Sequence, residues 1–283
     1  MQVNDIINSL NLISEKLFKT VEGQIYKVID DIIDISPNIL KQEPLNKLFF
    51  ENKVNGIIII ANSFILFYIV YYILIQLISI YNGKQIPNIY FFVVKIIIVS
   101  ILVNNSYFLC SEVLEFFDAF TNAVEMYGNN ISNEEITFEN LKETILSIDD
   151  FMKSNLFSID GLIKGIISFG IVSVLVNFSI RYVTVIFLIL ISPLAIMSSI
   201  AGITHGFFRS WIKMFTVNMM MQIVIKFVLI IPLVYKEVNT IMYKIVLVGS
   251  IYLIYKITTF TKELFMNINE KSDIKDIIYE KER

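Results

Sequence analysis

The sequence contains little that would support catalysis or a metal site. It has one cysteine, Cys110, and one histidine, His205, among 283 residues. A single cysteine excludes a disulfide within the chain, and one cysteine with one histidine cannot form a Cys/His zinc site. The sequence also has no phosphate-binding glycine loop and no H-E-x-x-H or G-x-S-x-G motif. We therefore predict a protein that is not an enzyme and that uses no metal or other cofactor.

Charged residues are scarce as well. They make up 17% of the chain, whereas hydrophobic residues make up 55%, and the mean hydropathy is +0.68. Soluble domains average about 25% charged and about 45–50% apolar residues. The net charge of −3 provides no basic surface of the kind that binds nucleic acid. This composition predicts a protein embedded in the lipid bilayer, without sequence-specific nucleic-acid binding.

Long apolar runs predict an all-α, polytopic membrane protein. A helix needs about 20 apolar residues to cross about 30 Å of hydrocarbon. Four runs meet this length: Gly56–Ile80, Ile89–Leu109, Ile212–Val234 and Val238–Phe260. The chain then divides into an N-terminal segment (residues 1–55), a first helix pair (56–110), an acidic segment (111–160), a long helix with the C-terminal spans (161–260) and a tail (261–283). The acidic segment contains eleven Asp and Glu residues against two lysines, so we expect it to lie outside the lipid.

The apolar stretch Gly161–Ile203 permits two topologies. As one helix it would extend about 60 Å, twice the hydrocarbon thickness. Leu162–Ile180 would then project beyond the lipid and would be covered by other copies or partners. Two crossings would need a turn near Asn177–Arg181, where the sequence has no glycine or proline. Three glycines near the start of the stretch would allow another helix to approach closely: Gly161, Gly165 and Gly170.

The distribution of basic residues favours a single crossing. Lys and Arg collect on the cytoplasmic side of membrane proteins. The connector after Ile203 contains Arg209 and Lys213, whereas the acidic segment has no basic residue before Lys142. An outer acidic segment and an inner connector require an odd number of crossings between them. We therefore predict five crossings of the bacterial cytoplasmic membrane, with the N-terminus outside and the C-terminus inside. Six crossings are the alternative.

An amphipathic helix is predicted in the N-terminal segment. Apolar residues recur at three- and four-residue steps from Ile6 to Ile32, and Ser36-Pro37 would end the helix. We expect this helix to lie on the membrane surface or on the protein's own loop. Docking of a partner protein is the alternative.

Two charged residues inside apolar runs are candidates for function, because intramembrane charges are costly. Lys226 lies near the middle of its predicted span, and no predicted span contains an acidic residue that would neutralise it. We therefore expect Lys226 to face a wet cavity, a carbonyl group or an acid from another subunit. Arg181 lies at the outer membrane interface if this stretch is one long helix, or at a turn if it makes two crossings. The lack of buried acids argues against a proton-coupled transporter.

The segment Ile191–Phe215 contains the most specific pattern. Within Ser192-Pro193-Leu194, the proline removes a backbone donor and is expected to kink or end the long helix. Arg209, Trp211 and Lys213 then provide a basic, aromatic anchor at the membrane interface. This segment resembles the TrbL/Vir-type polytopic subunits of type IV secretion systems in conjugative elements of Gram-positive bacteria. In those proteins a long helix ends in a Ser/Gly-Pro-Leu-like step, and a polar link leads to an aromatic-basic helix start.

The resemblance implies an oligomeric membrane platform for DNA transfer on a mobile genetic element. Its implied partners are further copies of the chain, the lipid bilayer and other secretion subunits, including separate ATPases. The chain departs from the family pattern in its 55-residue N-terminal segment. Two other classes remain open at this point. One is the permease subunit of a multi-component ABC-type peptide or lantibiotic exporter, which predicts an even number of crossings. The other is a stand-alone channel or carrier.

Overall fold

The helices of the protein follow the apolar runs of its sequence. The computed structural model describes residues 25–41, 56–83, 88–146, 159–200, 202, 204–235 and 240–264. Within these ranges every regular element is helical, which confirms the all-α prediction. The helices are α1 (residues 25–33), α2 (Asn38–Lys41), α3 (Gly56–Tyr81), α4 (Ile89–Asn104), α5 (Ser106–Ser132), α6 (Phe138–Leu146), α7 (Ile159–Leu190), α8 (Ser192–Met197), α9 (His205–Val234), α10 (Ile241–Tyr255) and α11 (Ile257–Leu264).

Three helices of the described chain are long and apolar enough to cross a membrane. They are α3, the Gly165–Leu190 part of α7, and α9. Two further pairs reach this length only together, because α4 and α5 meet at a bend of 69° and α10 and α11 at a bend of 68°. The described chain therefore has three to five candidate spans.

The bend between α4 and α5 shortens the second apolar run that the sequence predicts. Helix α4 ends at Asn104 rather than at Leu109. The side chains of Asn104 and Asn105 donate hydrogen bonds to the carbonyls of Ser100 and Ile101, one turn earlier. Side-chain amides of this kind compete with the backbone ladder, which explains why the helix direction changes here.

The chain forms two compact units. Unit 1 comprises Met1–Ile35, Phe117–Val183 and Val217–Arg283, and unit 2 comprises Ser36–Phe116 and Thr184–Thr216. The core of unit 1 contains apolar residues of α1, α6, α7, α9 and α10. Within it the ring of Phe138 meets the ring of Phe178 edge-on, at 6.4 Å between centroids.

The N-terminal part of unit 1 packs against the acidic segment. Helix α1 ends at Ile33, three residues before Ser36-Pro37. Its residues Tyr26 and Ile29 are buried in the same cluster as Phe138 of α6. Helix α1 therefore lies against α6 of the protein's own acidic segment. The earlier part of the predicted amphipathic helix, Ile6 to Val21, lies outside the described residues.

Helix α7 is continuous from Ile159 to Leu190, so the chain makes no hairpin turn near Asn177–Arg181. One of its faces is buried in the core of unit 1, including Ile167, Ile171 and Phe178. We expected Leu162–Ile180 to be covered by other copies or partners. That expectation was wrong for this face, because helices of the same chain cover it.

Unit 2 is organised around the break that follows α7. The helix ends at Leu190, and Pro193 lies in the first turn of the short helix α8, where a missing N–H costs no hydrogen bond. Helix α8 packs against both α3 and α4, and its residues Ile196 and Met197 share a buried cluster with Ala61 of α3. The prediction that the proline ends the long helix is confirmed.

Candidate functional site

The candidate site is a buried ion network around Lys226 in unit 1. Lys226 is 3% exposed, and its neighbours along α9 are apolar. Its Nζ lies 2.9 Å from Oε2 of Glu125 and 3.0 Å from Oδ2 of Asp34. It also donates to the carbonyl of Ile136 at 3.4 Å. A lysine ammonium has three N–H donors, so these three acceptors match its full donor capacity.

The expectation that Lys226 has no acidic partner within the chain was therefore wrong. Glu125 belongs to the segment that we expected outside the lipid, and Asp34 belongs to the N-terminal segment. Neither acid lies inside a predicted span. Lys226 is eight residues from the end of α9 at Val234, a rise of about 12 Å. Acidic groups from outside the spans can reach this depth.

A close approach of α5 and α9 brings Glu125 to Lys226. Gly128 lies one turn after Glu125 on the same face of α5. A Cβ atom at Gly128 would lie 2.8 Å from Cγ1 of Ile230, one turn after Lys226 on α9, and 2.7 Å from Cγ1 of Ile136. The missing side chain at Gly128 therefore permits the helix spacing at which the ion pair forms.

The turn after α5 presents the third acceptor. Asn133 has a φ of 60°, a left-handed conformation that asparagine adopts more readily than most residues. The side chain of Asn129 accepts a hydrogen bond from the backbone N–H of Ile136 at 2.9 Å. This bond fixes the Ile136 peptide in the turn, and its carbonyl is then available to Lys226.

Arg181 is the second buried cation of unit 1, with an exposure of 4%. From α7 it donates through Nε to the carbonyl of Asn218 at 2.9 Å, through Nη1 to the carbonyl of Ile33 at 2.9 Å, and through Nη2 to Oε1 of Gln222 at 3.1 Å. The Ile33 carbonyl lies at the C-terminal end of α1, where the helix dipole favours a positive charge. Arg181 therefore joins α1, α7 and α9, and it lies within the continuous helix α7 and not at a turn.

The sequence contains one signal of this network that the apolar runs do not reveal. Asn218, Gln222 and Lys226 follow one another at four-residue steps within the apolar helix α9. Residues with this spacing share one helix face. Such a polar stripe predicts a buried polar contact, although it does not identify the partners.

Asp30 extends the network to α6. Its Oδ1 and Oδ2 accept hydrogen bonds from the backbone N–H groups of Phe138 and Glu139, at 2.8 and 3.1 Å. These N–H groups belong to the first turn of α6, which has no acceptors of its own for them. Burial raises the pKa of Asp30 from 3.8 to about 6, although both hydrogen bonds and the charge of Lys226 oppose this rise.

The residues predicted in the segment Ile191–Phe215 lie in unit 2, apart from this network. Ser192 and Pro193 are buried, and Leu194 packs against the cluster that contains Ile196. Trp211 is 8% exposed, and its Nε1 donates to the carbonyl of Leu188 at 2.8 Å.

This burial of Trp211 differs from the interfacial anchor that the sequence predicts. Its ring stacks on that of Phe215 at 5.5 Å. Helix α9 begins at His205, seven residues before the predicted start of this span, so Arg209 and Lys213 also belong to the helix. Arg209 is exposed and Lys213 is partly buried.

The network around Lys226 connects distant segments of unit 1. Lys226 and Arg181 are its buried cations, and Asp30, Asp34 and Glu125 are its acidic residues. The network fixes the relative positions of α1, α5, α7 and α9. Within the described residues, no group of three His, Cys, Asp or Glu side chains is placed to hold a metal ion.

Comparisons of the chain with protein-family models, with curated proteins and with solved structures find no match.

Proposed function

We propose that this chain is an integral membrane subunit of a conjugative type IV secretion system and that it forms part of an oligomeric platform in the bacterial cytoplasmic membrane. The observation that supports this proposal is the break between α7 and α9. The long helix α7 stops at Leu190, the Ser192-Pro193-Leu194 step begins α8, and α9 then contains Arg209, Trp211 and Lys213. This order of elements is the one expected from the resemblance to the TrbL/Vir-type subunits.

Contacts within unit 1 support the proposed orientation. Because Asp30 binds the first turn of α6, we propose that the N-terminal segment and the acidic segment lie on the same side of the membrane. The chain must then cross an even number of times between them. Helix α3 and the bent pair α4–α5 supply two crossings.

The remaining helices then favour five crossings in total. Helix α7 is continuous and counts once, and α9 and the α10–α11 pair each count once. With the acidic segment outside, this count places the N-terminus outside and the C-terminus inside. A permease with both termini inside would need an even number.

The ion network favours a static platform over a carrier. A carrier alternates between conformations, and a buried charge that loses its partner during such a change is costly. Lys226 and Arg181 together hold four helices of unit 1 in one arrangement. We propose that energy for transport comes from separate ATPase subunits, because the sequence has no nucleotide-binding motif.

Conjugation in the native host tests the proposed function. Deletion of the gene in the donor cell should abolish transfer of the mobile element, and a copy supplied in trans should restore it. Deletion in the recipient serves as the control and should have no effect. The protein should also co-purify with a secretion ATPase. Normal transfer from a donor that lacks the protein would refute the proposal.

Cysteine accessibility tests the orientation. Cys110 is buried and can be replaced by serine to give a background without cysteine. Glu135→Cys and Phe207→Cys then introduce thiols at two exposed positions. In intact cells, a membrane-impermeant maleimide should label residue 135 and not residue 207. The reverse pattern would invert the orientation, and labelling at both positions would favour six crossings.

A further inference from the structure

An apolar cavity of about 320 Å³ lies within unit 2, between α4, α5, α8 and α9. Its walls include Leu102, Cys110, Ile196, Trp211 and Phe215. The network around Lys226 contributes no residue to it, so the cavity is a separate feature of the molecule.

The cavity suits an apolar guest rather than water. The indole nitrogen of Trp211 already donates to the carbonyl of Leu188, so the ring offers the cavity only its apolar surface. An engineered apolar cavity of about 150 Å³ stays dry and binds benzene. A cavity of about 320 Å³ is roughly twice that volume and can hold a longer hydrocarbon. Filling it would also restore dispersion contacts that the lining residues otherwise lack.

The mouth of the cavity identifies the source of that hydrocarbon. Leu102, Val113 and Ile212 line the cavity and are also 36–41% exposed. They belong to helices of the proposed spans, where the surrounding solvent is lipid. In the proposed topology the cavity therefore opens to the hydrocarbon of the bilayer, which consists mainly of the acyl chains of phospholipids.

We propose that this cavity of unit 2 binds one acyl chain of a bilayer phospholipid, which packs against Trp211 and Cys110. The proposal rests on the membrane embedding proposed above and not on a role in DNA transfer. The bound chain fills the space between α5 and α9 next to the break at Pro193. Lipid thereby becomes part of the packing of the segment that carries the family resemblance.

The protein contains its own probe for this site, because Trp211 is the only tryptophan of the chain. The protein should be reconstituted in phosphatidylcholine bilayers whose acyl chains carry bromine, a contact quencher of indole fluorescence. Matched bilayers without bromine give the reference intensity. We expect a clear loss of Trp211 fluorescence in the brominated lipid, although the indole is buried by protein on most sides.

Two matched variants separate the cavity from lipid that merely surrounds the protein. Val113→Phe narrows the mouth and should restore most of the fluorescence in brominated lipid. Val94→Phe makes the same change on α4 at an exposed position that does not line the cavity, and it should leave the quenching intact. If Val113→Phe does not fold, as judged by circular dichroism and gel filtration, Ile212→Phe replaces it.

Two results would overturn the proposal. One is equal fluorescence of the unmodified protein in brominated and plain lipid. The other is quenching that persists undiminished when the mouth is narrowed. Either result in a protein that shows the expected cysteine labelling refutes the lipid site alone. Failure of the conjugation test would instead refute the proposed function and leave the lipid site standing.

Discussion

Replacement of Lys226 by methionine should destabilise unit 1, because Glu125 and Asp34 lose the buried cation that both contact. Removal of one partner from a buried ion pair costs about 3–5 kcal/mol. Glu125 and Asp34 retain 24% and 37% side-chain exposure, so water compensates part of this cost. We therefore expect Lys226→Met to lower the free energy of unfolding by about 2–3 kcal/mol, below the fully buried range because of this partial solvation.

Unfolding by sodium dodecyl sulfate from mild detergent micelles, followed by circular dichroism, measures this change. Lys256→Met is the matched control, because Lys256 is exposed and its ammonium lies over the Tyr255 ring, 5.6 Å from the centroid. The control should cost much less than Lys226→Met. Equal effects of the two substitutions would refute our account of the network.

A double-mutant cycle tests the contact between Lys226 and Glu125. Lys226→Met combined with Glu125→Gln removes both charges of this ion pair. The double variant should be less destabilised than the sum of the two single variants, with a coupling energy of about 1–3 kcal/mol, as contacting residues show. Strict additivity would mean that the 2.9 Å contact between Lys226 and Glu125 contributes no coupling.

Two further predictions follow from local geometry. A Cβ at Gly170 would lie 2.6 Å from Cγ2 of Ile251, whereas a Cβ at Gly165 would meet nothing within 4 Å. Gly170→Ala should therefore lower the free energy of unfolding by about 1–3 kcal/mol through overpacking. Gly165→Ala should be neutral or slightly stabilising in the same unfolding assay. Equal effects of the two substitutions would contradict the close approach of α7 and α10 at Gly170. The pKa of Asp30 is about 6 in the folded protein, against an ordinary value of 3.8. The folded protein therefore binds the proton of the Asp30 carboxyl group more tightly than the unfolded chain does. The free energy of unfolding should therefore fall as the pH rises from about 4 to about 6. Asp30→Asn should flatten this pH profile in that window. A profile that is the same in Asp30→Asn as in the unmodified protein would show that another group titrates.

Features that depend on a short stretch of chain could be predicted from the sequence. The first span was predicted at Gly56–Ile80, and the helix runs from Gly56 to Tyr81. The end of α7 before Pro193 was predicted as well. The bend at Asn105 was missed, because apolar content shows where a span is allowed and not where side-chain amides redirect the backbone. The start of α9 was predicted seven residues too late, because the polar residues of its first turns resemble a connector between helices.

The candidate site was only half predictable. Lys226 and Arg181 were recognised because a charge within an apolar run is conspicuous in any sequence. Their partners were not, because each partner is ordinary in its own context. Asp34 follows a short amphipathic helix, and Glu125 is one of eleven acids in its segment. The carbonyl groups of Ile33 and Ile136 carry no sequence signal at all.

The sequence by itself determined that this chain is helical and which stretches of it can cross a membrane. The reason is physical: backbone groups in hydrocarbon must bond within their own helix, so the requirement is local and its trace is a run of apolar residues. Only the tertiary structure decided how the buried charges are neutralised and where an apolar cavity remains. Glu125 and Lys226 are 101 residues apart, and Arg181 and Ile33 are 148 residues apart. Contacts over such distances arise from the packing of whole helices, and no local pattern specifies them.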